Sequence, residues 1–396
     1  MSTAQISPIT HQEGVDEESL RNPGLPPVKP FEFAGFETSN LQWKNRGICR
    51  PRFPFIWPQA YHPRLKEFRE RYSFLDAIKN IDDEWEQIKA LRNWVHRQIP
   101  YHFDDTKTLF GLYHYKEVES DPFKILDYSA QGAPHWCTYY AKIFHAVLSA
   151  CGWVSRHVGN RGIYKPEGST GAHGVTDVFI NSLGKWVYLD AMFDYHFSKD
   201  GVLLSNWEAG EELAKNDAKD VEVFKGRDSE LIKAVGIPAE EKYALHQNYW
   251  SKLALYQDCF SQEGPWTPRV NLIKVGKRHE GHLCYGGNIN AKPDAGYEEG
   301  FTQHTIRDAD VYPDIGTSRI EIAENKIPGT VKVNIGTYTP NLKTFLLKID
   351  NRDWQPANAP FIWHLHDGDN NLEVRTENEF GRLGFPSEVS VNLKIK

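Results

Sequence analysis

Residues 132–160 read GAPHWCTYYAKIFHAVLSACGWVSRHVGN, and residues 172–194 read AHGVTDVFINSLGKWVYLDAMFD. In the first, Tyr140, Ala141, Phe144, Val147, Leu148 and Cys151 fall on one apolar face at helical spacing. This predicts a helix that begins near Cys137, and Gly152 stands where a helix-ending glycine belongs. In the second stretch the apolar period drops to two. Val175–Ile180 and Lys185–Asp190 read as strands joined by the hairpin loop Asn181-Ser182-Leu183-Gly184. The architecture implied is α+β, a helix against an antiparallel sheet.

The same stretches gather chemistry. Just after Gly132-Ala133-Pro134, Cys137 would sit in the first turn of its helix, among unpaired N–H groups at the positive dipole end. Both favour thiolate over thiol, the form a nucleophile needs. A lone cysteine is more often a small buried apolar residue, and the hairpin is what shifts the balance. If Ile180 pairs with Lys185 across the loop, Val175 faces Asp190, and His173 lies diagonal to that carboxylate on the same face. A carboxylate there fixes the imidazole tautomer and stabilises its charged form. Asp177 and Asp194 share the face and are rivals, because a longer or bulged loop would move the register. The Cys137 N–H is the default oxyanion donor. Trp136 and Tyr139 are candidates to line the substrate slot.

Working outward, Trp85, Ile88, Leu91, Trp94 and Val95 predict a helix that starts near Asn80, is capped by Asn80 or Asp82, and is stopped after Ile99 by Pro100. A polar loop is expected from there to about Gly132. Residues 1–30 read as an arm, and Arg50–Pro63 as a Pro-rich aromatic segment laid on the body. Residues 200–280 are mixed, with helical stretches such as Glu240–Cys259. From about Val311 the chain turns β. Val331–Ile335, Thr344–Ile349, Phe361–Leu365, Leu372–Arg375 and Glu388–Ile395 imply a sandwich. The expected division is an N-terminal arm and aromatic segment (1–60), a catalytic core (61–235), a helical and loop connection (236–310) and a β-sandwich (311–396).

At 396 residues the chain is too long for one core. Hydrophobic content of 40% and charged content of 25% are those of an ordinary globular protein. A net charge of -7 with no dense Lys/Arg run speaks against nucleic acid. No apolar stretch approaches the roughly 18 residues of a membrane span. Five widely spaced cysteines imply neither a disulfide framework nor zinc, and the 16 histidines form no HExxH or similar spacing, so no metal or other cofactor is expected.

The Cys137 helix segment with its following Arg–x–Val–Gly strand, the His173 strand, the Trp–x–x–x–Asp strand ending at Asp190, and IKALRNWVHRQIPY (88–101) together resemble the core of transglutaminase-like, papain-type thiol enzymes over roughly residues 80–200. The resemblance implies a Cys137–His173–Asp190 triad acting on an amide or acyl carbon through a thioester. Gln131, six residues before Cys137, is similar to the glutamine that precedes the cysteine in papain-like enzymes and is a second oxyanion candidate. Gly174 and Val175 follow His173 where the family often places an aromatic, and Ala191 follows Asp190 where proline is common. FIWHLHDGDNNLEVRTENEFGRLGFPSEV (361–389) resembles Ig-like sandwiches attached to secreted bacterial enzymes, which points outside the cytoplasm; the start MSTAQISPITHQEG, without a basic start or apolar run, fits a cytoplasmic protein and equally a secreted one whose leader has been removed.

Three functions stay open at this level. The first is a thiol amidohydrolase or acyltransferase with a peptide or glycopeptide substrate. The second is a polysaccharide-active enzyme in which His173, Tyr139, Tyr140 or Asp190 would do acid–base work; the 13% aromatic content suits sugar binding. The third is a binding protein without catalysis, against which the intact Cys/His/Asp set argues.

Overall fold

The computed structural model describes residues 36–44, 48, 57–100, 121–161, 172–209, 212, 218–231, 253–256, 282–285, 302–305, 309 and 312–395. The chain opens with strand β1 (Phe36–Lys44) and continues through helices α1 (Pro63–Arg71), α2 (Glu84–Gln98), α3 (Pro122–Ala130) and α4 (Cys137–Ala150). Then come β2 (Ser155–Arg161), β3 (Ala172–Ile180), β4 (Lys185–Leu189), β5 (Tyr195–Lys199), β6 (Val202–Leu203), β7 (Glu222–Lys225), β8 (Glu230–Leu231), β9 (Leu253–Tyr256), β10 (His282–Tyr285) and β11 (Thr302–Thr305). The C-terminal strands are β12 (Ser318–Glu324), β13 (Thr330–Thr337), β14 (Leu342–Ile349), β15 (Gln355–Ala357), β16 (Phe361–His364), β17 (Gly368–Asn378) and β18 (Ser387–Ile395).

The core is α+β. A six-stranded sheet runs β11-β10-β9-β2-β3-β4, antiparallel except for the parallel pair β10–β11. One face of β3 and β4 gives Val178, Ile180, Val187 and Leu189 to a cluster with Tyr140, Phe144, Val147 and Leu148 of α4, which also holds Ile88, Leu91 and Val95 of α2. The opposite face gives Val175 and Tyr188 to a second cluster with Phe197 and Val223, from the small sheet β6-β5-β7-β8. Two sheets, β1-β18-β17-β14-β15 and β12-β13-β16, share a third cluster around Trp363, Val374 and Val391 and form the C-terminal sandwich.

Several elements depart from expectation. The α2 cap is Asp83, whose side chain accepts from Glu86 N at 2.9 Å, not Asn80 or Asp82. Helix α3 stands within the expected polar loop; Asp121 caps it, accepting from Phe123 N at 3.0 Å, and Pro122 takes the first position, where it loses no hydrogen bond. Helix α1 starts the same way, at Pro63. Residues 253–256, inside the expected helix Glu240–Cys259, form β9, paired with both β2 and β10. Strand pairing there prevails over local helical pattern. The rest of that stretch, most of the N-terminal arm, Cys49 and Cys259 lie outside the described residues. Residues 36–44, within the expected N-terminal arm and aromatic segment (1–60), pair antiparallel with β18 as the edge of the sandwich.

The sandwich docks on the far end of α4. That helix ends at Cys151 and Gly152, with Gly152 at φ +85°, Gly152 N bonded to Ser149 O (3.1 Å) and Trp153 N to Leu148 O (3.0 Å). This is the paired ending that a left-handed glycine permits. The remaining carbonyls are met from outside: Ala150 O by Arg69 (3.0 Å), Cys151 O by Arg382 Nε (3.1 Å) and Gly152 O by Asn378 Nδ2 (2.9 Å).

Candidate active site

Helix α4 begins with Cys137. Its N-cap is Trp136, in extended conformation and without a side-chain hydrogen bond to the first turn. No side chain therefore claims the orphan N–H groups at this end by capping. Cys137 is partly exposed.

The β3–β4 hairpin has the expected register: Ile180 opposite Lys185, Val178 opposite Val187 and Thr176 opposite Leu189. One step on, Asp190 leaves the strand, bridged to Tyr195 by two backbone bonds of 3.0 Å. His173 Nε2 lies 2.6 Å from Asp190 Oδ2. The other carboxylate oxygen accepts from Met192 N (2.7 Å) and Phe193 N (3.1 Å), while the Tyr188 hydroxyl approaches Oδ2 at 3.4 Å. The His173 imidazole and the Gly174 amide both act on the Cys137 thiol, each favouring its charged form. The structure thus brings Cys137, His173 and Asp190 together.

The electrostatics favour charge separation. Burial pushes the Cys137 thiol up, but the His173 hydrogen bond and charge and the Gly174 amide outweigh it, and the net shift is downward. Burial would lower His173, yet the Asp190 charge and hydrogen bond, then Cys137, lift it well above the ordinary imidazole value. Asp190, raised by burial alone, is held low by His173 first and by the amides of Phe193 and Met192 after it. Both shifts run toward a thiolate–imidazolium pair.

The two rival aspartates are engaged elsewhere. Asp177 faces Arg156 at 3.7 Å in full burial, and burial lifts its carboxyl to about 6 against that arginine. Asp194 accepts from Arg92 Nε (2.6 Å) and Asn93 Nδ2 (2.7 Å). Its φ of +61° turns it away from the strand pattern that made it a rival.

Gly174 answers a steric demand. A Cβ there would lie 2.9 Å from Thr138 Cα, 3.1 Å from Thr138 N and 2.9 Å from His157 Nε2. Absence of a side chain lets β3 touch the backbone of α4's first turn, which is what puts the Gly174 amide on the Cys137 sulfur.

Of the expected lining residues, Trp136 is 42% exposed beside the nucleophile. Tyr139 is corrected: it is buried, with its ring against His135 at 4.8 Å. Gln131 is also corrected. Exposed at the end of α3, it donates its carboxamide to Asp127 O at 3.0 Å and is thereby spent on its own helix. Tyr140 is buried, its hydroxyl donating to Ile99 O at 2.8 Å. Sequence reasoning missed Phe193, whose ring stacks on His173 with centroids 5.6 Å apart, and the support of Asp190 by Met192 and Tyr188. The aromatics three and five residues after Asp190, Phe193 and Tyr195, were the available signal. Among the described residues no group of three or more His, Cys, Asp or Glu is gathered as a metal site, and no helix is long and apolar enough to cross a membrane.

No curated protein matches the chain. Among solved structures it is similar to one described as "a Putative Cysteine Protease from Cytophaga hutchinsonii", at 16% identity over 44% of this chain and 50% of that one, with a TM-score of 0.25. A likeness that loose bears no weight on the site. Residues 73–191 match the model of the transglutaminase-like superfamily. That span contains α2, the Cys137 helix, the His173 strand and Asp190, and over it the chain is similar to the transglutaminase-like superfamily.

Proposed function

We propose that the chain is a thiol-dependent hydrolase or acyltransferase that opens an amide bond of a peptide or glycoconjugate, with Cys137 as nucleophile, His173 as acid–base and Asp190 as the residue that orients it. The observation that carries this reading is the His173 imidazole held 2.6 Å from Asp190 while its charge favours the Cys137 thiolate. The Cys137 thiolate attacks the amide carbon. The oxyanion is met by the N–H of Cys137 at the uncapped helix end. The His173 imidazolium gives its proton to the leaving amine, the C–N bond breaks and a thioester remains. Neutral His173 then takes a proton from water or from an acceptor amine, which attacks the thioester and releases the enzyme. Asp190 keeps the imidazolium favourable throughout without taking its proton.

The polysaccharide-active alternative gains little support from the burial of Tyr139, Tyr140 and Asp190, since an acid or base must reach its substrate. Parallel screens of peptide, glycopeptide and polysaccharide substrates with wild type and Cys137→Ala test the reading. Amide turnover that vanishes in Cys137→Ala is expected. Turnover that survives the substitution undiminished would remove the thiol mechanism.

A further inference from the structure

Phe193 touches the site twice. Its N–H donates to Asp190 Oδ1 at 3.1 Å, and its ring stacks on the His173 imidazole, 5.6 Å between centroids at 28°. Tyr195 stacks on Phe193 in turn, at 5.9 Å and 26°, and the Lys225 ammonium lies 5.5 Å from the Tyr195 ring. We propose that the Phe193 ring is a positioning residue, holding the His173 imidazole in the one plane that serves Asp190 and Cys137 together. The inference rests on the thiolate–imidazolium reading given above.

The physical case is one of remaining freedom. His173 is the second residue of β3, near the strand's start. A ring engaged at both nitrogens can still pivot about the line that joins them. A flat partner on its face removes that motion, and a ring quadrupole also favours the charged imidazole. The stack further covers the 2.6 Å His173–Asp190 bond against water. Because Phe193 contacts Asp190 through its backbone, a side-chain substitution leaves that bond in place and isolates the stack. Among the described residues, the charged and titratable groups around His173 are Cys137 from α4, Asp190 after β4, Tyr188 and Arg92 acting on Asp190 from β4 and α2, His157 beside Gly174 from β2, and Lys225 at the end of the stack from β7.

Phe193 also packs against the core cluster around α4, so volume must be separated from stacking. Iodoacetamide labelling of Cys137 in the full chain, followed across pH by peptide mapping, reads the thiol's acid limb. Phe193→Leu keeps the apolar volume and loses the flat ring. It should raise the limb by about half to one unit, which slows labelling about 3- to 10-fold below it. Phe193→Tyr should leave the limb in place. A Phe193→Leu limb equal to wild type overturns the proposal, because volume alone then suffices; so does a Phe193→Tyr limb displaced as far as that of Phe193→Leu. A wild-type limb at the ordinary thiol value overturns the thiolate–imidazolium reading itself, and this inference with it. A depressed wild-type limb that Phe193→Leu does not move overturns this inference alone.

Discussion

Arg382, on the turn between the last two strands of the sandwich, donates its Nε to the carbonyl of Cys151, the residue that ends the helix Cys137 begins. The same guanidinium lies 3.5 Å from the Trp153 ring centre and bonds Gln87 of α2 at 2.8 Å. Trp153 Nε1 donates to Glu84 at 2.8 Å, and Glu84 also receives Ser182 N (2.7 Å) and the Asn181 amide (2.8 Å) of the β3–β4 loop. One junction therefore ties the Cys137 helix, α2, the hairpin and the sandwich, and puts positive charge at the helix end where the dipole favours it.

Arg382→Ala should lower the melting temperature, by the equivalent of about 2–3 kcal/mol for lost charged hydrogen bonds and ring contact. Truncation after Gly329 should cost more, since it also removes Asn378 and the β18 partner of β1. Calorimetry of the three chains checks this. A truncated chain that melts with the wild type would show that the core does not depend on the sandwich.

Asp190→Asn has a pH signature. The Asp190 carboxyl is held low in the fold, so its contribution is present above its unfolded value near 3.9 and lost as pH falls through the folded one. His173 is raised, so its contribution is complete below about 6.5 and lost as pH rises through the folded value. The two windows overlap between about pH 4 and 6.5, where the melting difference between wild type and Asp190→Asn should be largest. The Asn amide also offers a donor where His173 needs an acceptor, which selects the wrong tautomer, so labelling of Cys137 should slow sharply near pH 6. A melting difference independent of pH would mean the pair is not charged.

Gly174→Ala tests the close approach of strand and helix. Thr138 meets the added methyl with backbone atoms, which cannot swing aside. The overpacking should cost about 1–3 kcal/mol. It should also separate the Gly174 amide from the Cys137 sulfur, so labelling in mild acid falls while circular dichroism stays native. Unchanged labelling with unchanged melting would show that the contact has slack.

Which parts of this were legible in the sequence follows from what each residue's partner is. The hairpin register could be read because a four-residue loop and period-two burial fix it locally; it set Asp190 diagonal to His173 and left Asp177 and Asp194 as rivals on the same face. Helix α3 was hidden because Asp121 and Pro122 start a helix with residues that also start a loop. Strand β1 could not be read at all, since the strand it pairs with, β18, lies at the other end of the chain. Within the site, the Gln131 and Tyr139 assignments failed for a shared reason. Proximity in sequence to Cys137 says nothing about direction, and Gln131 turns back on α3 while Tyr139 turns into the core.

Cys137 and Cys151 stand at opposite ends of α4, and their reactivities should differ in a way no substrate is needed to see. Thiolate fraction and access set the alkylation rate. Cys151 is buried, and burial pushes its thiol up to about 12 despite Arg382 and Arg69 nearby. Cys137 is partly exposed and shifted downward by His173. Brief iodoacetamide treatment near pH 6, followed by peptide mapping, should mark Cys137 well ahead of Cys151 and of Cys49, Cys259 and Cys284. His173→Ala should slow the reaction at Cys137 toward that of an ordinary thiol, because the imidazolium that holds the thiolate is gone, and should leave the other four unchanged. At pH 9 the His173→Ala deficit should shrink, since an ordinary thiol ionises there without help. Repeating the experiment with a small neutral disulfide reagent separates access from ionisation. If Cys137 reacts no faster than Cys259 with either reagent in the native protein, it is not an activated nucleophile, and the thiol mechanism fails at its first step.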